Sequence, residues 1–209
     1  MRISDDRYSR DRLRLDVAMQ FIRHEARTRT IRQWTGLSDD RIRKLYHSYL
    51  QGAAGCVIRH RGRSPQQAAY FTRTARLRDE ASALAGLCCL VGLLDGGCDH
   101  PYRRSAPGVD RAASLCQAYE GYRAVTSTPA IGFEHAVLLV KVLTRGSELR
   151  LGNCHDCGAL LVVDSLALRP QRCTLCTARS PVCEPPREAE HPGQVELHEL
   201  PDLLTLRGP

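Results

Sequence analysis

Residues 153–180 read NCHDCGALLVVDSLALRPQRCTLCTARS and contain two C-x-x-C pairs. Fifteen residues separate the pairs, which is enough for a short hairpin, and the run ALLVV has the composition of a strand. Two facing C-x-x-C turns present four thiolates, the ligand set of a closed structural Zn²⁺ site. The spacing therefore predicts one structural Zn²⁺ per chain, and its predicted ligands are Cys154, Cys157, Cys173 and Cys176.

A redox centre and a pair of disulfides are the alternatives to a metal site. A redox C-x-x-C normally opens a helix in a βαβ unit, and the sequence has no such unit. The N-terminal residues MRISDDRYSRDRLRLDVAMQ contain no apolar signal region, so we expect a cytoplasmic protein with reduced thiols. These considerations favour zinc, with His155 as a bystander inside the first pair.

The rest of the pattern predicts a mainly α protein. Residues 1–148 read as a helical body, 149–180 as a small Cys₄ zinc-ribbon-like module, and 181–209 as a Pro-rich, acidic and flexible tail. The longest apolar run, Ala81–Leu94, is too short to cross a bilayer and reads as a buried core helix. The predicted helical segments are Asp11–Arg32, Ser38 (as N-cap) to about Leu50, Ala68–Leu94, Asp110–Val125 and Ala136–Leu143.

The charge is concentrated near the N-terminus. The net charge is +7, and 28 of the 30 basic residues are arginine. Residues 1–73 contain 16 Lys and Arg against 7 Asp and Glu. A basic N-terminal third on an otherwise near-neutral chain indicates a nucleic-acid-binding surface.

Residues 30–50, TIRQWTGLSDDRIRKLYHSYL, have the pattern of a helix-turn-helix within a region of about 25–50. Gly36 stands at the turn, and Ile42, Leu45, Tyr46 and Tyr49 share one face of the second helix. The opposite face is predicted to contact DNA. An ordinary surface helix with a solvated basic face explains the pattern equally well. The candidate DNA-binding residues are Arg41, Arg43, Lys44 and His47 on this helix, and Arg59, Arg61 and Arg63 in the loop IRHRGR, which also reads as a simple solvated loop.

Taken in order, five segments resemble the FlhC family of bacterial flagellar transcriptional activators. They are LDVAMQFI, GLSDDRIRKLYHSYLQG, FEHAVLLVKVL, LRLGNCHDCGALLV and CTLC, spread over about residues 13–180. The resemblance implies a mainly helical protein with a C-terminal four-cysteine zinc site. It also implies a hetero-oligomer with an FlhD-like protein that binds double-stranded promoter DNA and activates flagellar operons. RNA polymerase is a further expected partner, and no membrane partner is expected.

Two other classes of function compete with this interpretation. A zinc-stabilised protein-interaction scaffold without direct DNA contact would use the same metal site. An enzyme is disfavoured, because the sequence has neither H-E-x-x-H nor a phosphate-binding P-loop, and a saturated Cys₄ zinc cannot activate water. Salt-dependent binding to duplex DNA separates the activator from the scaffold.

Overall fold

The computed structural model describes residues 2–52, 60, 62–95 and 108–179, and this part of the chain is mainly helical. Of the predicted features, Arg59, Arg61 and the tail 181–209 lie outside the described residues. The elements are α1 (Arg2–Arg23), α2 (Thr28–Thr35), α3 (Asp39–Gly52), a short 3-10 helix (Ala68–Thr72), α4 (Ala75–Leu90), α5 (Val109–Val125), α6 (Phe133–Arg145), β1 (Leu149–Asn153), β2 (Leu160–Asp164) and α7 (Thr174–Arg179).

The helical pattern predicted over 11–32 is divided between two helices. At the end of α1 the N–H of Ala26 bonds the carbonyl of Phe21, and the N–H of Glu25 bonds that of Ile22, both at 2.9 Å. These two bonds form a Schellman motif, which requires a left-handed residue and usually takes glycine. Here Glu25 adopts φ 59°, so nothing in the local sequence announces the break.

The predicted helix-turn-helix segment forms two short helices around a three-residue turn. Gly36 ends α2 in the left-handed region at φ 71°, and its N–H bonds the carbonyl of Arg32. Ser38 caps α3 as predicted, since its Oγ accepts from the N–H of Arg41 at 3.4 Å. The turn lets both helices pack on α1. Buried residues from all three helices meet there, among them Val17, Phe21, Ile31, Trp34, Leu37, Ile42 and Tyr46.

The apolar run 81–94 is a core element, but its helix ends earlier than predicted. Gly92 takes φ 69°, and the N–H of Leu93 bonds the carbonyl of Cys88 at 2.8 Å. This is a second Schellman ending, so α4 stops at Leu90, whose side chain is 82% exposed. The chain covers the apolar face of α4 with its own elements, mainly α5 and β2.

The strand predicted for ALLVV is β2, which forms an antiparallel hairpin with β1 in which Leu151 pairs with Val162. Because side chains alternate along a strand, one face of the hairpin, including these two residues, joins the helical core. The other face, with Leu161 and Val163, packs against the cysteine cluster. The N–H of Val162 also donates to Ser82 Oγ of α4 at 2.9 Å. Packing is therefore continuous across the predicted boundary at 148/149.

Candidate metal centre and basic helix face

The hairpin brings the two C-x-x-C pairs together. Cys154 follows β1 directly, and its N–H bonds the carbonyl of Ala159 at 2.7 Å, closing a tight turn. Gly158 gives this turn a left-handed residue at φ 72°. The second pair, Cys173 and Cys176, lies at the start of α7. Short-range turns therefore position the two cysteines of each pair. This is why the C-x-x-C spacing alone predicts a metal site.

The four sulfur atoms are arranged as a metal would require. Their Sγ atoms all lie within 4.8 Å of one another. The Sγ atoms of Cys157 and Cys173 are 3.7 Å apart. A tetrahedral zinc with Zn–S bonds of about 2.3 Å requires an S–S edge of about 3.8 Å. A disulfide would need about 2.05 Å, and none of the four cysteines forms one. The cluster fits a metal ion and does not fit a pair of disulfides.

The electrostatics of the cluster also suit a cation. The backbone N–H of Cys173 donates to Cys154 Sγ at 3.3 Å and, with further backbone N–H groups of the first turn, lowers the pKa of the Cys154 thiol to about 6. Hydrogen bonds to the sulfurs of Cys173 and Cys157 raise the pKa of the Cys176 thiol to about 12, and repulsion from the charge of Cys154 adds to the rise. A divalent cation would cancel that repulsion. Four thiolates leave no open position, so such a metal would be structural.

His155 is not one of the clustered ligands. Its Nδ1 lies 3.0 Å from Asp156 Oδ1, and Asp156 is also paired with Arg172 at 3.1 Å. These side chains form a polar rim beside the first pair. Cys88, which lies in the apolar run predicted to be buried, is a core residue, and so is Cys116 of α5; burial raises the pKa of each thiol to about 12.

The basic residues predicted on α3 share one exposed face. Ile42 and Tyr46 are buried on the opposite side, so the predicted division of the helix is correct. Arg43 pairs with Asp40 at 3.0 Å, yet both side chains remain well exposed. The exposed residues of α3 include Arg41, Arg43, Lys44 and His47. Arg63 is also exposed, and its carbonyl accepts from Arg27.

Sequence reasoning missed the contribution of α2 to this surface. Arg29 and Arg32 are exposed one turn apart on α2, and this i, i+3 spacing was visible in the sequence. Arg32 reaches Asp39 at the start of α3, with 3.4 Å between Nη1 and Oδ2. Asp39 and Asp40 stabilise the N-terminus of α3, but they also place two carboxylates beside the basic face.

Among protein-family models and curated proteins, none matches this chain. Within the described residues, no helix combines the length and the apolar character needed to cross a membrane.

Proposed function

We propose that this chain is a cytoplasmic DNA-binding transcriptional activator of flagellar operons that acts as a hetero-oligomer with an FlhD-like protein. The observation that carries the proposal is the exposed basic face of α3 behind a three-residue turn. A helix presented in this way can enter a major groove, where Arg and Lys reach base edges and phosphates. The ordered resemblance to the FlhC family supplies the partner and the class of promoter.

The metal in this proposal is Zn²⁺. Four soft thiolate ligands at tetrahedral spacing favour zinc over harder cations such as Mg²⁺ or Ca²⁺. Its role is to fix the hairpin and α7, since a saturated site offers no position for substrate. The arrangement therefore supports a structural role and no metal-dependent reaction.

A protein-interaction scaffold without DNA contact is the second candidate. It is favoured by exposed leucines between the two C-x-x-C pairs, because Leu166 and Leu168 are 84% and 99% exposed. Exposed leucines close together in a loop are typical of a contact surface for another protein. The scaffold and the activator differ in one property, which is affinity for duplex DNA.

The DNA test replaces Arg43 and Lys44 by alanine in the complex with a co-expressed FlhD-like partner. Loss of each phosphate contact should lower the salt slope of promoter binding by about 0.9. Loss of a base contact should cost about 1–3 kcal/mol at one position of the DNA site. The matched control is Lys141→Ala with Arg145→Ala, which removes the same charge from the exposed side of α6. Unchanged DNA affinity in the α3 variant, with partner binding intact, favours the scaffold.

The metal test measures zinc by elemental analysis of purified protein. We expect about one zinc per chain, as a closed four-thiolate site requires. Cys157→Ser and Cys173→Ser should each lose the metal. Cys89→Ala is the matched control, because this half-buried cysteine of α4 lies outside the sulfur cluster. Full zinc occupancy in both serine variants would contradict the assignment.

A further inference from the structure

A cleft of about 650 Å³ opens where the C-terminal ends of α1 and α5 meet the N-terminus of α6. This volume lies within the range of small-molecule sites. Three arginines line it, Arg23 and Arg27 near the end of α1 and Arg123 in the last turn of α5. Arginine side chains recognise phosphate through paired N–H donors. The cleft is thus a concave surface supplied with donors for an anion.

The N-terminus of α6 adds backbone donors to the same cleft. Gly132 is the N-cap residue and has no side chain to cap the helix. Gly132, Phe133, Glu134 and His135 all line the cleft. The N–H groups of a first helical turn have no intrahelical acceptors and carry the positive end of the helix dipole. A phosphate is a common occupant of such an uncapped terminus.

A buried histidine forms part of the wall of the cleft. The side chain of His24 is only 7% exposed, and its Nε2 lies 3.2 Å from Glu120. Its Nδ1 is buried and has no hydrogen-bond partner among the described residues. The ring stacks on Phe133 at 5.1 Å, which holds it in the wall of the cleft. The Nδ1 atom is shielded from solvent, so His24 contributes its ring, rather than a hydrogen bond, to the wall of the cleft.

The acidic residues of the lining do not cancel these donors. The carboxylate of Glu134 already accepts from the N–H of Arg27 at 2.8 Å and from Thr30 Oγ1 at 3.0 Å. Glu25 is 3.0 Å from His60 Nε2. Both carboxylates are engaged by protein donors, which leaves the guanidinium charges of Arg23 and Arg123 facing solvent.

We propose that this cleft binds a small phosphate ester with a flat, apolar body. Its phosphate would lie against the arginines and the N-terminus of α6. Its body would lie against the apolar part of the lining, which is formed by Pro65, Pro129, Tyr119 and Phe133. The proposal goes beyond the DNA-binding function, and neither depends on the other.

The experiment is calorimetric titration of the full chain with adenosine monophosphate at fixed ionic strength. We expect saturable binding of one molecule per chain, with weaker binding of inorganic phosphate and none of adenosine. Arg123→Gln should weaken binding roughly tenfold or more, the scale of one charge-assisted hydrogen bond. Arg145→Gln is the control, because it removes the same charge from an exposed arginine outside the cleft.

A second readout locates the ligand without relying on a variant. Histidine NMR on the full chain should show a change at the His24 imidazole when adenosine monophosphate is added, with no change at exposed His47. Absence of saturable binding would overturn the proposal, as would equal losses in Arg123→Gln and Arg145→Gln. Loss of duplex DNA affinity in Arg123→Gln without any nucleotide binding would also overturn it, since the arginines would then be contacts to DNA phosphates.

Discussion

Glu80 shows how one buried carboxylate organises three parts of the fold. Its side chain is 10% exposed and pairs with Arg76 at 2.8 Å on α4. It also accepts from the hydroxyl of Tyr122 on α5 and from the N–H of Ala130, the latter at 2.8 Å. The residue therefore ties α4, α5 and the loop before α6 together through charge-assisted hydrogen bonds.

We expect Glu80→Gln to destabilise the protein in a pH-dependent way. Burial alone would raise the pKa of Glu80, but the hydrogen bonds from Tyr122, Arg76 and Ala130 outweigh burial and lower it below 4.5. The folded state thus favours the carboxylate. The stability that it contributes is present above the unfolded pKa near 4.5 and is lost as the pH falls through the folded pKa.

Urea unfolding should show a loss of about 1–3 kcal/mol for Glu80→Gln at pH 7, the usual cost of disrupting a buried charged hydrogen-bond group. The difference from the unchanged protein should shrink below pH 4.5. Because the two proteins are compared at the same pH, a loss of metal that affects both equally cancels in the difference between their unfolding free energies. Glu148→Gln, at an exposed position, should be nearly neutral. An equal loss of unfolding free energy at pH 7 and at pH 4 would contradict a stabilising role for the charge of Glu80.

The cysteine site could be predicted from the sequence, whereas the role of Glu80 could not. The cysteine ligands stand in pairs three residues apart, so local geometry brings each pair together whatever the rest of the fold does. Glu80 reads as an ordinary i, i+4 surface partner of Arg76. Its decisive partner, Tyr122, lies 42 residues away in sequence, and no local pattern connects them.

At the scale of elements, the turn between α2 and α3 depends on glycine. Gly36 has φ 71°, and an added Cβ would meet nothing within 4 Å. Gly36→Ala should therefore cost about 1–2 kcal/mol through backbone strain alone. Thermal unfolding of the variant checks this value, and promoter binding should weaken as well if α3 is misplaced.

The control for Gly36→Ala is the same substitution inside a helix. Gly86 lies within α4, and its added Cβ would make an ordinary contact with Leu160 at 3.8 Å. Gly86→Ala should stabilise the protein by about 0.5–1 kcal/mol, because alanine loses less backbone entropy. Opposite signs are expected for the two variants. If both substitutions destabilised the protein, packing rather than backbone conformation would determine their effects on stability.

Helix existence could be predicted from periodicity, whereas two helix ends could not. The break after α1 depends on Glu25 in a left-handed conformation that its residue type does not favour. The end of α4 uses Gly92, which lies inside an apolar run that otherwise continues to Leu94. In both places tertiary packing of the following residues determines where the helix stops, so a local reading extends the helix too far.

At the scale of the whole molecule, the cysteine cluster and the helical body share the β-hairpin. Val162 belongs to the helical core and Val163 to the cysteine cluster, one residue apart on β2. Two polar contacts reinforce the junction. Ser82 Oγ accepts from the N–H of Val162 at 2.9 Å, and Thr174 Oγ1 donates to Asp79 at 2.8 Å. The described residues to Arg179 accordingly belong to one compact unit.

This continuity predicts that removing the proposed zinc destabilises the helices as well as the hairpin. A structural zinc contributes about 10–16 kcal/mol in small zinc-dependent modules, and a whole domain is stable by only about 5–15 kcal/mol. Without the cation nothing holds the two C-x-x-C pairs together, and the hairpin face carrying Leu161 and Val163 loses its packing partner. The other face of the same strands completes the helical core. Disorder of the hairpin would therefore expose apolar residues of α4 and α6.

The measurement is circular dichroism at 222 nm during heating, with and without a zinc chelator, together with release of zinc into a colorimetric indicator. We expect the chelator to lower the midpoint of helix unfolding, with release and unfolding following the same course. Ser82→Ala should weaken this coupling, since it leaves the N–H of Val162 without its acceptor. Zinc release with no shift in the helical midpoint would mean that the hairpin unfolds separately. The basic face of α3 would then be independent of the metal, and the proposed DNA binding would survive chelation.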